Sequence, residues 1–110
     1  MGKFILLQTT CQEKDTKILI QKVFESGLVF CVQSVKIQSD YIWQGKKCSE
    51  EEIQITFKTK AKYYPKLKKL IKKFHSYEIP EIIALKINKV SKAYKKWALE
   101  SIKESVTTLN

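Results

Sequence analysis

LVFCVQSVKIQSDYIWQGKKCSEEEIQITFKTK, residues 28–60, reads as two strands folded back on one turn. Leu28 to Ile37 is rich in Val and Ile, and Tyr41–Trp43 continues the extended pattern after the polar Gln38, Ser39 and Asp40. Gln44, Gly45 and Lys46 supply the turn signal. From Glu52 to Lys60 the residues alternate, with Ile53, Ile55 and Phe57 on one face and Gln54, Thr56 and Lys58 on the other. A period of two with a single apolar row describes a sheet with one covered face and one wet face. The hairpin must therefore meet other elements on its apolar side.

Those elements flank it in the chain. Phe4 to Thr9 (FILLQT) is a short continuous apolar run, suited to a strand buried on both faces. Thr10 precedes Glu13 at the capping-box spacing and predicts a helix over Gln12–Ser26, with Ile18, Leu19 and Val23 inward and Lys14, Lys17 and Lys22 outward. Gly27 falls just past its end, where glycine accepts a left-handed backbone. Downstream, Pro65 suits a first helical turn, and Tyr63, Leu67, Leu70, Ile71 and Phe74 recur at spacings of three and four. The opposite face is Lys62, Lys66, Lys68, Lys69, Lys72 and Lys73. Pro80 closes the segment after His75, and Ile82 to Ile87 predicts a fourth strand. Ser91 is placed to cap a last helix through about Glu104, with Tyr94, Trp97 and Ile102 inward and the tail from Ser105 frayed. The order is that of an α+β, ferredoxin-like βαββαβ sandwich, with a hairpin arm and an extra C-terminal helix, in one domain over residues 1–110. Both main helices lie on one face of such a sheet, and the other face is wet or covered by a partner.

The composition bounds the function. The chain carries 21 basic and 11 acidic side chains, a formal charge of +10, and every cation is lysine. Without arginine there is no planar fork to read base edges or clamp phosphate, which disfavours both specific nucleic-acid recognition and hydrolysis of acyl phosphates. The strand Glu52–Lys60 offers no aromatic on its outward row for stacking bases. The lysines read instead as a solvated outer coat. P-loop, GxSxG and Rossmann glycine patterns are missing, so nothing demands an enzyme. No apolar run approaches the roughly 20 residues of a membrane span, and the N-terminus lacks a cleavable pattern. Cys11, Cys31 and Cys48 are odd in number and widely spaced, as reduced cytosolic thiols would be.

HSYEIPE, residues 75–81, concentrates chemistry: the single histidine, Tyr77, Glu78 and Glu81 around the rigid Pro80. Imidazole with carboxylate is a partial site for copper or zinc, needing further donors from Glu78, a cysteine or another subunit. The plainer alternative makes His75 a C-terminal cap of the lysine-rich helix. The arm segment SDYIWQG, residues 39–45, carries Tyr41 and Trp43, aromatics suited to packing at a subunit interface.

Three blocks taken together, FCVQSVKIQSDYIWQGK (residues 30–46), EEEIQITFKTK (50–60) and HSYEIPE (75–81), resemble the divalent-cation tolerance family CutA over almost the whole chain. The resemblance implies a cytoplasmic, non-enzymatic homotrimer with a ferredoxin-like subunit whose hairpins wrap neighbours, linked to copper and other divalent metals. Tyr41, Trp43 and Gly45 match the family's arm motif, and His75, Tyr77, Pro80 and Glu81 match its HPYxxPE box. His75 and Glu81, with Glu78 nearby, are then the implied metal residues, and Tyr41, Trp43, Gly45 and Tyr77 the implied trimer contacts. Ser76 stands where the family usually has proline, and Gln8 where some members have a cysteine donor; Cys11, expected just past the strand, does not replace it. Cys31 matches a cysteine common in the family. The alternative is a regulatory trimer similar to the PII proteins, binding a small anionic metabolite or a protein partner in its clefts.

Overall fold

The computed structural model describes residues 3–109, with side chains through Ile102; residues 1, 2 and 110 of the expected 1–110 domain lie outside the described residues. β1 (Phe4–Cys11) is followed by α1 (Glu13–Phe24), β2 (Val29–Trp43), β3 (Lys46–Lys60), α2 (Tyr64–Phe74), β4 (Ile83–Lys86) and α3 (Lys92–Leu109). The strands form one antiparallel sheet in the order β2-β3-β1-β4. This is the expected ferredoxin-like α+β arrangement.

β3 organises the core. Leu7 pairs with Phe57 and Thr9 with Ile55 on one edge, while Val32 and Ser34 of β2 face the same two residues on the other. Ile5, Leu7, Ile55 and Phe57 thereby form an apolar surface on which Leu19 and Val23 of α1 and Leu67 and Ile71 of α2 are buried. Neighbours along β1 point to the opposite face. There Phe4 and Phe30 receive Ala98 and Ile102 of α3, which shields one end of the second face. Val35, Ile83 and Leu85 share that face by register and stay exposed.

Three sequence expectations are corrected. Thr10 does not cap α1: β1 continues through Cys11, which pairs with Ile53, and Gln12 becomes the N-terminal cap without a side-chain bond. Cys11 consequently ends the strand and is fully buried. As expected, β2 continues through Gln38, Ser39 and Asp40 to Trp43, because continuous pairing with β3 (Gln38 to Glu51, Asp40 to Ser49) satisfies their backbone whatever their side chains prefer. Finally, α3 runs on to Leu109, past the expected fraying point. Gly27 does adopt a left-handed backbone, φ +74°.

At the arm tip Trp43 pairs with Lys46, leaving only Gln44 (φ +51°) and Gly45 (φ +78°) to turn the chain. Two successive positive φ angles are those of a type I′ hairpin turn, whose twist matches the flanking strands. Two 15-residue strands therefore project well past the helices, and the molecule is 45 Å along its longest axis.

Phe57 is fully buried and Phe24 is 54% exposed. Phe57→Ala is expected to cost about 3–5 kcal/mol and Phe24→Ala within about 0.5 kcal/mol, read from urea unfolding midpoints at unchanged slope.

Candidate functional site

The chain leaves α2 at His75, whose backbone is extended (φ −84°, ψ 139°), and Ile79 is kept from helix by the following Pro80. Three side chains then fasten this loop to three different elements. The imidazole of His75 donates from Nε2 to the Thr10 carbonyl at 2.8 Å and accepts the Tyr77 N–H at Nδ1, 3.1 Å away. Ser76 Oγ donates to Asp15 Oδ2 in the first turn of α1 at 2.6 Å. Tyr77 OH donates to Glu52 Oε2 on β3 at 2.5 Å, and the Tyr77 and His75 rings lie 4.8 Å apart. Ser76 thus ties the loop to α1 by a hydrogen bond.

Held this way, the loop faces the base of the arm across a cleft of about 580 Å³. Asp40, Tyr41 and Trp43 line it from β2, Glu52 from β3, and Tyr77, Glu78 and Glu81 from the loop. Four carboxylates and no lysine face this space, in a chain of net charge +10. Gln38 Nε2 donates to Ser49 Oγ at 2.9 Å, and Tyr41 OH donates to Glu50, so the two strands of the arm are cross-linked beside the cleft.

The electrostatics follow from crowding. Partial desolvation inside the cleft raises the Glu81 carboxyl above its ordinary range, and the charge of Glu52 adds to it. Tyr77 is pushed well above the usual phenol value, first by burial and then by its bond to Glu52. The Cys11 thiol is likewise raised by burial, with the nearby carboxylates Asp15 and Glu52 acting in the same direction, and its Sγ lies 3.5 Å from Thr16 Oγ1. Cys31 and Cys48 are half-buried, and all three thiols are free.

The structure therefore brings together most of the sequence candidates, though not as one constellation. Glu78, Glu81, Tyr77, Tyr41 and Trp43 share the cleft. His75 stands behind it with both nitrogens engaged by backbone groups, so the imidazole serves the loop while the carboxylates face the open space. His75 is also the residue that ends α2, standing in the C-cap position with an extended backbone. Gly45 is at the arm tip, with nothing within 4 Å of where a Cβ would stand. Among the described residues no three His, Cys, Asp or Glu side chains converge closely enough to hold one metal ion. The member missed in the sequence is Glu52, only 7% exposed. Its parity with Gln54 places it on the outward row, but nothing local signals that the loop covers it.

A family model described as CutA1 divalent ion tolerance protein matches residues 4–101. The divalent-cation tolerance protein CutA of Thermus thermophilus is 33% identical over 98 residues, 88% of this chain and 95% of that protein. The structure of CutA from Synechococcus elongatus superposes with a TM-score of 0.85 at 35% identity, covering 93% of this chain and 92% of that one. A structure described as the periplasmic divalent cation tolerance protein CutA from Archaeoglobus fulgidus superposes with a TM-score of 0.83 at 26% identity, over 93% and 99% of the two chains.

Replacing Tyr77 by Phe removes the donor that satisfies a buried carboxylate, and is expected to cost about 1–3 kcal/mol in denaturant unfolding near neutral pH. For Glu81 the raised value means that folding favours the protonated form. The associated stability is fully present below the ordinary carboxylate range and is lost as pH rises through the raised value. Glu81→Gln should thus gain on the wild type as pH is taken from about 4 to about 8; parallel pH profiles would contradict the assignment.

Proposed function

We propose, on the premise that this chain belongs to the CutA1 divalent ion tolerance family, that it acts without enzymatic activity as a cytoplasmic homotrimer holding a divalent cation, copper being the ion to try first, in the acidic cleft between arm and loop. The observation that carries this reading is the segregation of charge: a protein coated in lysine turns Asp40, Glu52, Glu78 and Glu81 toward one space. That field concentrates cations and repels the small anionic metabolite of the alternative reading. Glu78 and Glu81 are the donors at the loop, Glu52 and the Tyr77 oxygen stand next to them, and His75 holds the loop in place.

The donor set fits a weak, open site. Carboxylate and phenol oxygens bind divalent ions through a partial shell completed by water, and the donors of one subunit do not converge on a point. A neighbouring subunit can add to them, since Tyr41 and Trp43 remain more than a third exposed at the cleft edge. Support for assembly comes from the second sheet face, where Val35, Ile83, Leu85 and Trp97 are each about half exposed. A row of large apolar side chains beside α3 is the kind of patch that subunits cover. No helix among the described residues is long and apolar enough to cross a membrane, and three free thiols suit a reducing compartment.

Calorimetric titration with Cu²⁺ tests the site. The wild type is expected to release heat that the double substitution Glu78→Gln, Glu81→Gln abolishes, and equal heats would remove the loop carboxylates from it. Native mass spectrometry should return three chains per particle, and a monomer would end the assembly reading.

A further inference from the structure

We infer that the exposed face of α2 is a sequence-independent docking surface for the phosphate backbone of duplex nucleic acid. From Ile53 to Tyr77 the chain has eight lysines and no carboxylate. Folding sorts them: Leu67 and Ile71 are fully buried, while Lys62, Lys66, Lys69, Lys72 and Lys73 are exposed. Spacings of three and four put Lys66, Lys69 and Lys73 in one row on α2, with Lys72 beside it, and Lys62 extends the row from the 3-10 turn just before the helix. At about 1.5 Å per residue the row is roughly 16 Å long.

Among the described residues nothing neutralises it. The ion pair found among the described residues joins Lys36 to Glu13, so none of the five lysines has a described carboxylate within 4 Å. Two of them are held in place by rings instead: Lys62 Nζ lies 5.2 Å from the Tyr63 ring centroid and Lys73 Nζ 5.5 Å from that of Phe74, which Lys22 of α1 also approaches to 5.4 Å. These cation–π contacts order the two ends of the row before any ligand arrives. A coat serving solubility alone is better made of interspersed signs, because like charges at helical spacing repel.

The chemistry of the row selects its partner. It has no arginine fork for base edges, no exposed aromatic to stack on unpaired bases and no apolar wedge to enter a lipid layer, so it offers charge and nothing else. Its linear form matches a linear polyanion. Duplex DNA carries about one charge per 1.7 Å of axis, and a 16 Å row spans about five steps along one strand. The row lies on the helix side of the sheet, away from Val35, Ile83 and Leu85, so docking and subunit assembly do not compete.

Fluorescence polarisation with two unrelated 20-base-pair duplexes, between about 50 and 200 mM salt, tests the inference. Five phosphate contacts give a slope of about −4.5 in log affinity against log salt, the same for both sequences. The substitution set Lys62→Gln, Lys66→Gln, Lys69→Gln, Lys73→Gln should flatten this slope by about 3.6 units. The control Lys89→Gln, Lys92→Gln, Lys95→Gln, Lys96→Gln removes as much charge elsewhere and should change it by less than about one unit. Circular dichroism checks that both sets fold; if the first does not, the pair Lys66→Gln, Lys69→Gln should flatten the slope by about 1.8 units. Equal losses in the two sets would overturn the inference in favour of net charge alone. Tighter retention on phosphatidylserine vesicles than on the duplexes would overturn it in favour of a lipid surface.

Discussion

β3 is hydrogen-bonded along both edges from Ile53 to Thr59, to β1 on one side and β2 on the other, and along only one edge from Lys46 to Glu52. This asymmetry divides the molecule. Where both edges are paired, Ile55, Phe57 and Thr59 are fully buried and the helices have a surface to pack on. Where one edge is paired, the strand and its partner become a two-stranded arm. An isolated two-stranded hairpin is marginal in water, so the arm relies on its tight turn, on the Gln38–Ser49 and Tyr41–Glu50 bonds, and on its continuity with the paired half.

The cleft lies at that division. Cys11 is the last β1 residue to pair with β3, at Ile53, and the next residue along the strand is Glu52. His75 reaches the Thr10 carbonyl at the same level, and Tyr77 reaches Glu52. The loop thus closes over the place where the sheet narrows from three strands to two, and the carboxylates gather where the covering is thinnest. Burying Glu52 there is tolerated because the Tyr77 hydroxyl bonds it. The loop and the buried carboxylate hold each other in position.

Charge is divided along the same geometry. The lysine row on α2 points away from the sheet, while the carboxylates of the cleft stand where arm and loop meet, and neither set neutralises the other. A strongly cationic surface repels free cations in general. The recess, lined by three aromatic rings, gathers four carboxylates while the outer face of α2 carries exposed lysines.

The order of elements, the hairpin, the amphipathic helices and the inward row Ile53, Ile55, Phe57 were legible in the sequence, because each follows from periodicity and from turn residues such as Gly27 and Gly45, which act over a few neighbours. The grouping of Tyr77, Glu78 and Glu81 was legible for the same reason: they are adjacent in the chain. The sequence could not show that Thr10 stays in the strand, that Glu52 is buried, or that the imidazole of His75 reaches the Thr10 carbonyl. Each of these depends on a contact distant in the chain, 25 positions for Glu52 with Tyr77 and 65 for Thr10 with His75. Local pattern determines which elements form and which side of each is apolar. Only tertiary pairing decides which polar groups lose water, and that loss divided a histidine that holds the loop from the carboxylates that face the cleft.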